Sequence, residues 1–349
     1  MTAQLSRADL AAALAARGAE VLPPTVQNMP AIQAAAAAPP APPPVPPAPA
    51  QPAAAPLEQA DAEPSPSPAP APAAPPPPPL ARRHSNGVVT LLFSGKGGVG
   101  KSVLAINIAA ELAKETGEDV ALVDLNLQFG DIEVLLGLDT PGTIVDIARA
   151  YPNVDAPYIG SLMPEVAGHV RVLAGPRSPE LADLIQTEHI RLTLDILRQA
   201  FEHVVIDCQT HLDDRTLEAL EASDNIILLT DLNIPSIKDA KLAFKLFESL
   251  HVSRERIFLV LNRSNAPSNV SVAQLEATLR CPVSVQIPSE GKLVLSSIQK
   301  AAPFVLMFPD AQISQKVREV VGCLIPLAGA AKDSGAKVGR RKLFGRGGG

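Results

Sequence analysis

The stretch Ser94-Gly95-Lys96-Gly97-Gly98-Val99-Gly100-Lys101-Ser102 constrains this chain more than any other. It lies between an apolar run over 88–93 and a helical pattern that continues to about Glu115. A strand that enters a glycine-rich turn and leaves as a helix is the setting in which G-x-x-x-x-G-K-S, here Gly95 to Ser102, forms a phosphate loop. The glycines let backbone N–H groups close on phosphate oxygens, and the helix presents the positive end of its dipole. Lys101 is then placed to reach the β- and γ-phosphates, and the Ser102 hydroxyl to ligate Mg²⁺. The sequence predicts a nucleotide site on Gly95, Gly97, Gly98, Val99, Gly100, Lys101 and Ser102.

The fold around this loop follows from the apolar runs. Strands are expected over 88–93, 120–125, 170–174, 204–207, 226–230, 257–262 and 283–287, alternating with helical patterns such as 236–250. Strands this apolar are buried on both faces, which predicts an α/β fold with a doubly wound, mostly parallel sheet. Ligands in such sheets bind at the carboxyl ends of the strands. The run 204–206 closes on Asp207, the pattern in which a carboxylate holds Mg²⁺ through water. Cys208, directly after it, reads as a small, partly buried residue, and His211 as a loop histidine.

Composition divides the chain. Of 36 prolines, 23 fall between Pro23 and Pro79 among alanine runs, so 23–84 reads as a disordered Pro/Ala-rich linker with little to bury. Residues 85–330 then form one domain with a full core. Ahead of the linker, Ser6, Asp9, Leu5, Leu10 and Leu14 outline a short amphipathic helix within 1–22, either a docking peptide or a frayed terminus. The tail 331–349 carries six basic residues against Asp333, whereas the whole chain has a net charge of −6. An acidic body argues against a broad DNA-binding face. The tail reads either as a membrane-surface contact or as a solvated, partner-binding segment. Three widely spaced cysteines fit a reducing cytoplasm, and no apolar run reaches membrane-spanning length. The expected location is cytoplasmic, with peripheral attachment to the inner face of the cell membrane if the tail binds there.

Lys96, a second lysine directly after the first glycine, is not required by the ordinary motif. Lys96-Gly97-Gly98-Val99-Gly100-Lys101-Ser102 resembles the deviant Walker A signature of the MinD/ParA family of P-loop NTPases. That resemblance implies ATP and Mg²⁺ as ligands and a homodimer in which Lys96 crosses to the partner's nucleotide. The segment Asp124 to Asp131 resembles the family's Asp-x-Asp stretch, with Asp124 near the Mg²⁺ and Asn126 at the position that polarises the attacking water. Asparagine orients a water without taking its proton, so slow hydrolysis is expected. Asn262 and Arg263 match the family's base-recognition position, and Pro288-Ser289-Glu290 its Ile-Pro-x-Asp loop, with Glu in place of Asp. Within the family, Gly130-Asp131-Ile132 and Leu135-Leu136-Gly137 look like the CpaE/TadZ branch. The function this implies is an ATP-dependent dimerisation switch that positions a pilus-type secretion machine. Two alternatives stand beside it: a cycling partitioning or division-site ATPase, and an ATP-binding scaffold without turnover.

Overall fold

A computed structural model describes residues 87–325. The amphipathic segment 1–22, the linker 23–84 and the basic tail 331–349 lie outside the described residues. The chain opens with β1 (Val88–Phe93), the phosphate loop, α1 (Lys101–Thr116) and β2 (Val120–Leu125). Three short helices follow, α2 (Ile132–Leu135), α3 (Ile144–Ala150) and α4 (Ala156–Leu162), then β3 (Glu165–Val166) and β4 (Val170–Leu173). The second half runs α5 (Thr187–Ala200), β5 (His203–Cys208), α6 (Asp214–Ala222), β6 (Asn225–Thr230), α7 (Ile234–Ser249), β7 (Ile257–Leu261) and α8 (Val272–Leu279). It closes with β8 (Val285–Gln286), α9 (Gly291–Gln299), α10 (Phe304–Met307) and α11 (Gln312–Leu324).

The eight strands form one sheet in the order β3-β4-β2-β5-β1-β6-β7-β8, parallel throughout except for the β3–β4 pair. This is the doubly wound α/β architecture expected from the apolar runs. β1 sits between β5 and β6, so successive strands depart from it in opposite directions and leave a crevice at its carboxyl end. One face packs Leu91, Phe93, Val123 and Ile206 against α3 to α8, including Phe244 and Phe247. The other packs Leu92, Leu122 and Val205 against α1, α10 and α11, including Ile108, Phe304 and Val317. Each fully buried Leu or Phe contributes about 1.5–3 kcal/mol.

Several boundaries differ from expectation, each for a local reason. The sheet has eight strands rather than seven, because Glu165 and Val166 pair antiparallel with β4 across the turn at Gly168. β4 stops at Leu173, after which Ala174 leaves the β2 ladder for an isolated bridge to Thr143, and β7 stops at Leu261, where Arg263, at φ 52°, turns the chain away after Asn262. β8 shrinks to two residues, paired only with Val260 and Leu261 at the sheet edge. α7 begins at Ile234 rather than at residue 236: the Asn233 side chain caps it by accepting from the Ser236 N–H, and Pro235 lies in the first turn, where its missing N–H costs nothing.

The C-terminal elements are fastened to the phosphate-loop helix by buried polar groups. Glu111 of α1, fully buried, accepts from Arg318 of α11 at 2.7 Å. Asn107 of α1 accepts from the Val305 N–H of α10 at 3.1 Å. α1 itself ends where Gly117, at φ 70°, returns its N–H to the Ala113 carbonyl.

Candidate nucleotide site

The phosphate loop is held open by its own backbone. Gly98 and Gly100 lie at φ 75° and 97°, and Gly100 caps α1 with no side-chain hydrogen bond, so the first N–H groups of a 16-residue helix face the loop. The Ser94 hydroxyl donates to the Lys96 carbonyl at 2.6 Å, tightening the turn. Gly95 sits so close to α7 that a Cβ there would lie 2.7 Å from Cβ of Asp239. Lys101 reaches back to within 3.4 Å of the Ser94 hydroxyl. Burial holds its ammonium below the usual lysine range, and the Asp207 charge opposes that shift. A desolvated cation behind a ring of N–H groups favours a polyanion.

Strand register supplies the acids. β2 and β5 are neighbours with Asp124 opposite Asp207, so two carboxylates 83 positions apart in the chain meet at one end of the sheet. Both are buried, and burial raises both pKa values, Asp124 to about 8 with a further push from Asp207, and Asp207 to about 6. Ser102 and then Lys101 counter the shift at Asp207, and neither oxygen of Asp207 has a well-formed hydrogen bond among the described residues. Asp124 accepts from the N–H groups of Asn126 at 3.0 Å and Ile132 at 3.3 Å. Gly130 lies flat on this carboxylate: a Cβ would sit 2.5 Å from Oδ2. One hydroxyl and two carboxylates, one of them without a hydrogen bond, make an oxygen donor set that suits a largely hydrated Mg²⁺.

Other expected residues take more particular places. The Asn126 amide donates to the Phe129 carbonyl at 2.7 Å, which leaves its side-chain oxygen as the group able to engage a water. Lys96 is half-buried, and among the described residues its ammonium makes no ion pair. Asn262 is buried and its amide donates to the Val99 carbonyl at 2.7 Å, while its oxygen accepts the Arg263 N–H. Arg263 donates to the Gly98 carbonyl at 3.2 Å. Both residues therefore brace the phosphate loop, a role not expected of a base-recognition pair. Beyond them a groove of about 480 Å³ opens, lined by Ser264, Asn265, Pro288 and, from α11, Gln312 and Lys316. Glu290 accepts from the Ile313 N–H at the start of α11, so its carboxylate anchors a helix. Cys208 is buried and its thiol is pushed up to about 12 by burial, which makes it inert.

Sequence reasoning did not find the roles of Gly130, Gly175 or Asp239. Gly175 backs Asp124 from the end of β4, where a Cβ would lie 3.4 Å from the Asp124 carbonyl. Arg177 then donates to the Thr140 carbonyl at 2.6 Å, tying that loop to the segment after α2. A glycine two residues past a strand end was the available signal, but it identifies no neighbour.

A glycine-rich loop at a helix N-terminus, a desolvated lysine and paired strand-end carboxylates define a P-loop nucleotide-binding protein. The sequence model of the CobQ/CobB/MinD/ParA nucleotide binding domain matches residues 90–302, and the chain belongs to this family. It is 30% identical over 241 residues to an uncharacterized ATP-binding protein of Methanocaldococcus jannaschii, covering 68% of this chain and 88% of that one. Septum site-determining protein MinD of Synechocystis sp. is 25% identical over 271 residues, 74% of this chain and 98% of MinD. Among solved structures, a ParA family ATPase from Chlorobium tepidum superposes with a TM-score of 0.64 at 23% identity, over 67% of this chain and 98% of the other. MinD of Pyrococcus horikoshii, complexed with Mg-ADP, superposes with a TM-score of 0.61 at 21% identity, over 70% and 98%. No helix among the described residues is long and apolar enough to cross a membrane.

Proposed function

We propose that the chain is a MinD/ParA-type ATPase acting as a nucleotide-dependent positioning switch, in which Mg-ATP drives two copies together. The observation that carries this reading is the buried Asp207 carboxylate, without a hydrogen bond, beside Lys101 and Ser102 at the mouth of the phosphate loop. Backbone N–H groups of Gly97 to Ser102 would bind the phosphates, Lys101 would reach the β- and γ-phosphates, and Ser102, Asp207 and Asp124 would hold Mg²⁺ directly or through water. The chemistry such a cation would supply is neutralisation of charge on the phosphate oxygens. Asn126 orients the attacking water through its side-chain oxygen but takes no proton, so turnover is slow. Lys96 extends to the partner's nucleotide, consistent with its lack of an ion pair among the described residues. In this reading residues 85–330 are the ATPase domain, 1–22 and 331–349 are contact segments, and 23–84 is the linker between the first contact and the switch. The protein is placed in the cytoplasm, with its basic tail available to a membrane surface.

What the switch positions has two readings. The MinD and ParA relatives favour a partitioning or division-site ATPase, and one solved neighbour is a MinC:MinD cell division complex. A CpaE/TadZ-like role in a pilus-type secretion machine is favoured by Gly130-Asp131-Ile132, which closes over Asp124 through Gly130 and the Ile132 N–H. Calorimetric titration of Mg-ATP into wild type and Lys101→Ala tests the nucleotide site. Loss of binding in the variant supports the assignment, and unchanged affinity overturns it.

A further inference from the structure

Two consecutive side chains directly after β7 hold two consecutive carbonyls of the phosphate loop. Asn262 donates its amide to the Val99 carbonyl at 2.7 Å, and Arg263 donates to the Gly98 carbonyl at 3.2 Å. The approach is close: a Cβ on Gly100, which lies at φ 97°, would sit 2.8 Å from Nδ2 of Asn262. The Asn262 amide is also fixed end for end, because its oxygen accepts the Arg263 N–H at 2.9 Å and so leaves Nδ2 toward the loop. The turn that carries the pair is itself tied on both sides. The Asn262 N–H donates to the Thr230 carbonyl at the end of β6 at 2.8 Å, and the Ser264 N–H to the Ile287 carbonyl beyond β8 at 2.9 Å. Asn262 and Thr230 are buried. A side chain on so firm a base imposes its geometry on a glycine-rich loop, which has little stiffness of its own.

In a planar trans peptide the carbonyl of one residue and the N–H of the next point in opposite directions. Pinning the Gly98 and Val99 carbonyls therefore fixes where the Val99 and Gly100 N–H groups point. Gly98 and Gly100 both lie in the left-handed region, the backbone pattern that lets successive N–H groups converge into an anion nest. We propose that Asn262 and Arg263 are positioning residues for the phosphates: they aim the Val99 and Gly100 N–H groups at the anion before it arrives, and so set affinity for a polyphosphate whatever base it carries. The assignment rests on the phosphate loop binding a nucleotide, and it adds the strand end that shapes the loop. A hydrogen bond of ordinary net strength corresponds to roughly two- to tenfold in an equilibrium constant, so the pair scales binding and does not create it.

Equilibrium titration of the full-length chain with magnesium tripolyphosphate, the phosphate chain of ATP without its nucleoside, separates this role from recognition of the base. Asn262→Leu, which keeps the volume without a donor, should weaken tripolyphosphate and Mg-ATP by the same factor, about tenfold. Arg263→Gly, which suits the backbone at φ 52° but removes the guanidinium, should weaken both about threefold, since Arg263 is exposed, and Arg263→Lys should restore most of that loss by keeping a charged donor. In the ligand-free protein, amide exchange across 96–101 should quicken in Asn262→Leu while the rest of the sheet exchanges as in wild type. The exposed Arg263 variants decide the matter if Asn262→Leu does not fold. Wild-type affinity for tripolyphosphate in the variants, with Mg-ATP binding weakened, would assign the pair to the base and overturn the proposal. Lys101→Ala separates the two levels of the account. If it binds Mg-ATP as wild type does, the nucleotide site and this proposal fall together; if it loses binding while the pair variants keep wild-type affinity for tripolyphosphate, this proposal alone fails.

Discussion

Replacing Gly130 with alanine would strike the Asp124 cradle without touching the phosphate loop. The added Cβ would lie 2.5 Å from Oδ2 and 2.8 Å from Cγ of Asp124, closer than such contacts tolerate, so the carboxylate must move. It has little room, because Gly175 backs it and the Asn126 and Ile132 N–H groups hold it in front. The Ile132 bond, already 3.3 Å, is the first to break. A hydrogen bond to a charged group is worth about 1.5–3 kcal/mol, so the ionised Asp124 becomes harder to maintain by that amount. We expect the Mg²⁺ concentration that half-saturates ATP binding to rise about 10- to 100-fold, since each 1.4 kcal/mol is tenfold. Nucleotide binding in EDTA should change little. Calorimetric titrations at stepped Mg²⁺ concentrations read the shift, and thermal melting shows that the variant is folded. A folded Gly130→Ala protein with wild-type Mg²⁺ dependence would refute the assignment of Asp124 to the cation site.

Three further outcomes follow from the same geometry. Asn126→Asp replaces the donor to the Phe129 carbonyl with an acceptor, yet supplies a base; because phosphoryl transfer draws little on base strength, single-turnover hydrolysis should rise only about tenfold. A fast wild type, with the variant no faster, would contradict the picture of slow turnover. Glu111→Gln should lower unfolding stability by about 1–2 kcal/mol in denaturant titrations, less than a fully desolvated pair because Arg318 is half-exposed and keeps Glu115 at 3.4 Å; an unchanged midpoint would show that α11 does not depend on this contact. Without Mg²⁺ or nucleotide, Asp124 and Asp207 titrate above their unfolded values, so the folded state holds the extra proton. Stability should then fall as pH rises from about 4 through 8, and Mg-ATP should remove the slope; melts that strengthen over that window would reverse the sign.

The local parts of this molecule could be read from its residues, and the distant pairings could not. The phosphate loop and β1 were legible because glycine spacing and an apolar run act over a dozen positions. Asp124 and Asp207 each stood out as strand-end acids, but their meeting depends on β2 lying beside β5, which no local pattern encodes. Asn262 reaches the Val99 carbonyl across 163 positions, a contact with the loop that no local pattern encodes. α2, α3 and α4, at four to seven residues, are too short to display helical periodicity; caps such as Thr143 and Asp155 define the latter two. β3 is two residues whose pairing depends on the Gly168 turn, not on hydrophobic alternation.

Sedimentation of the full-length protein with Mg-ATP, with Mg-ADP and without nucleotide, for wild type and Lys96→Ala, addresses the switch most directly. The expected result is a wild type that is monomeric without nucleotide or with ADP and dimeric with ATP, and a variant that binds ATP with near wild-type affinity yet stays monomeric. A wild type that remains monomeric when saturated with ATP, or a Lys96→Ala protein that still dimerises, would contradict it.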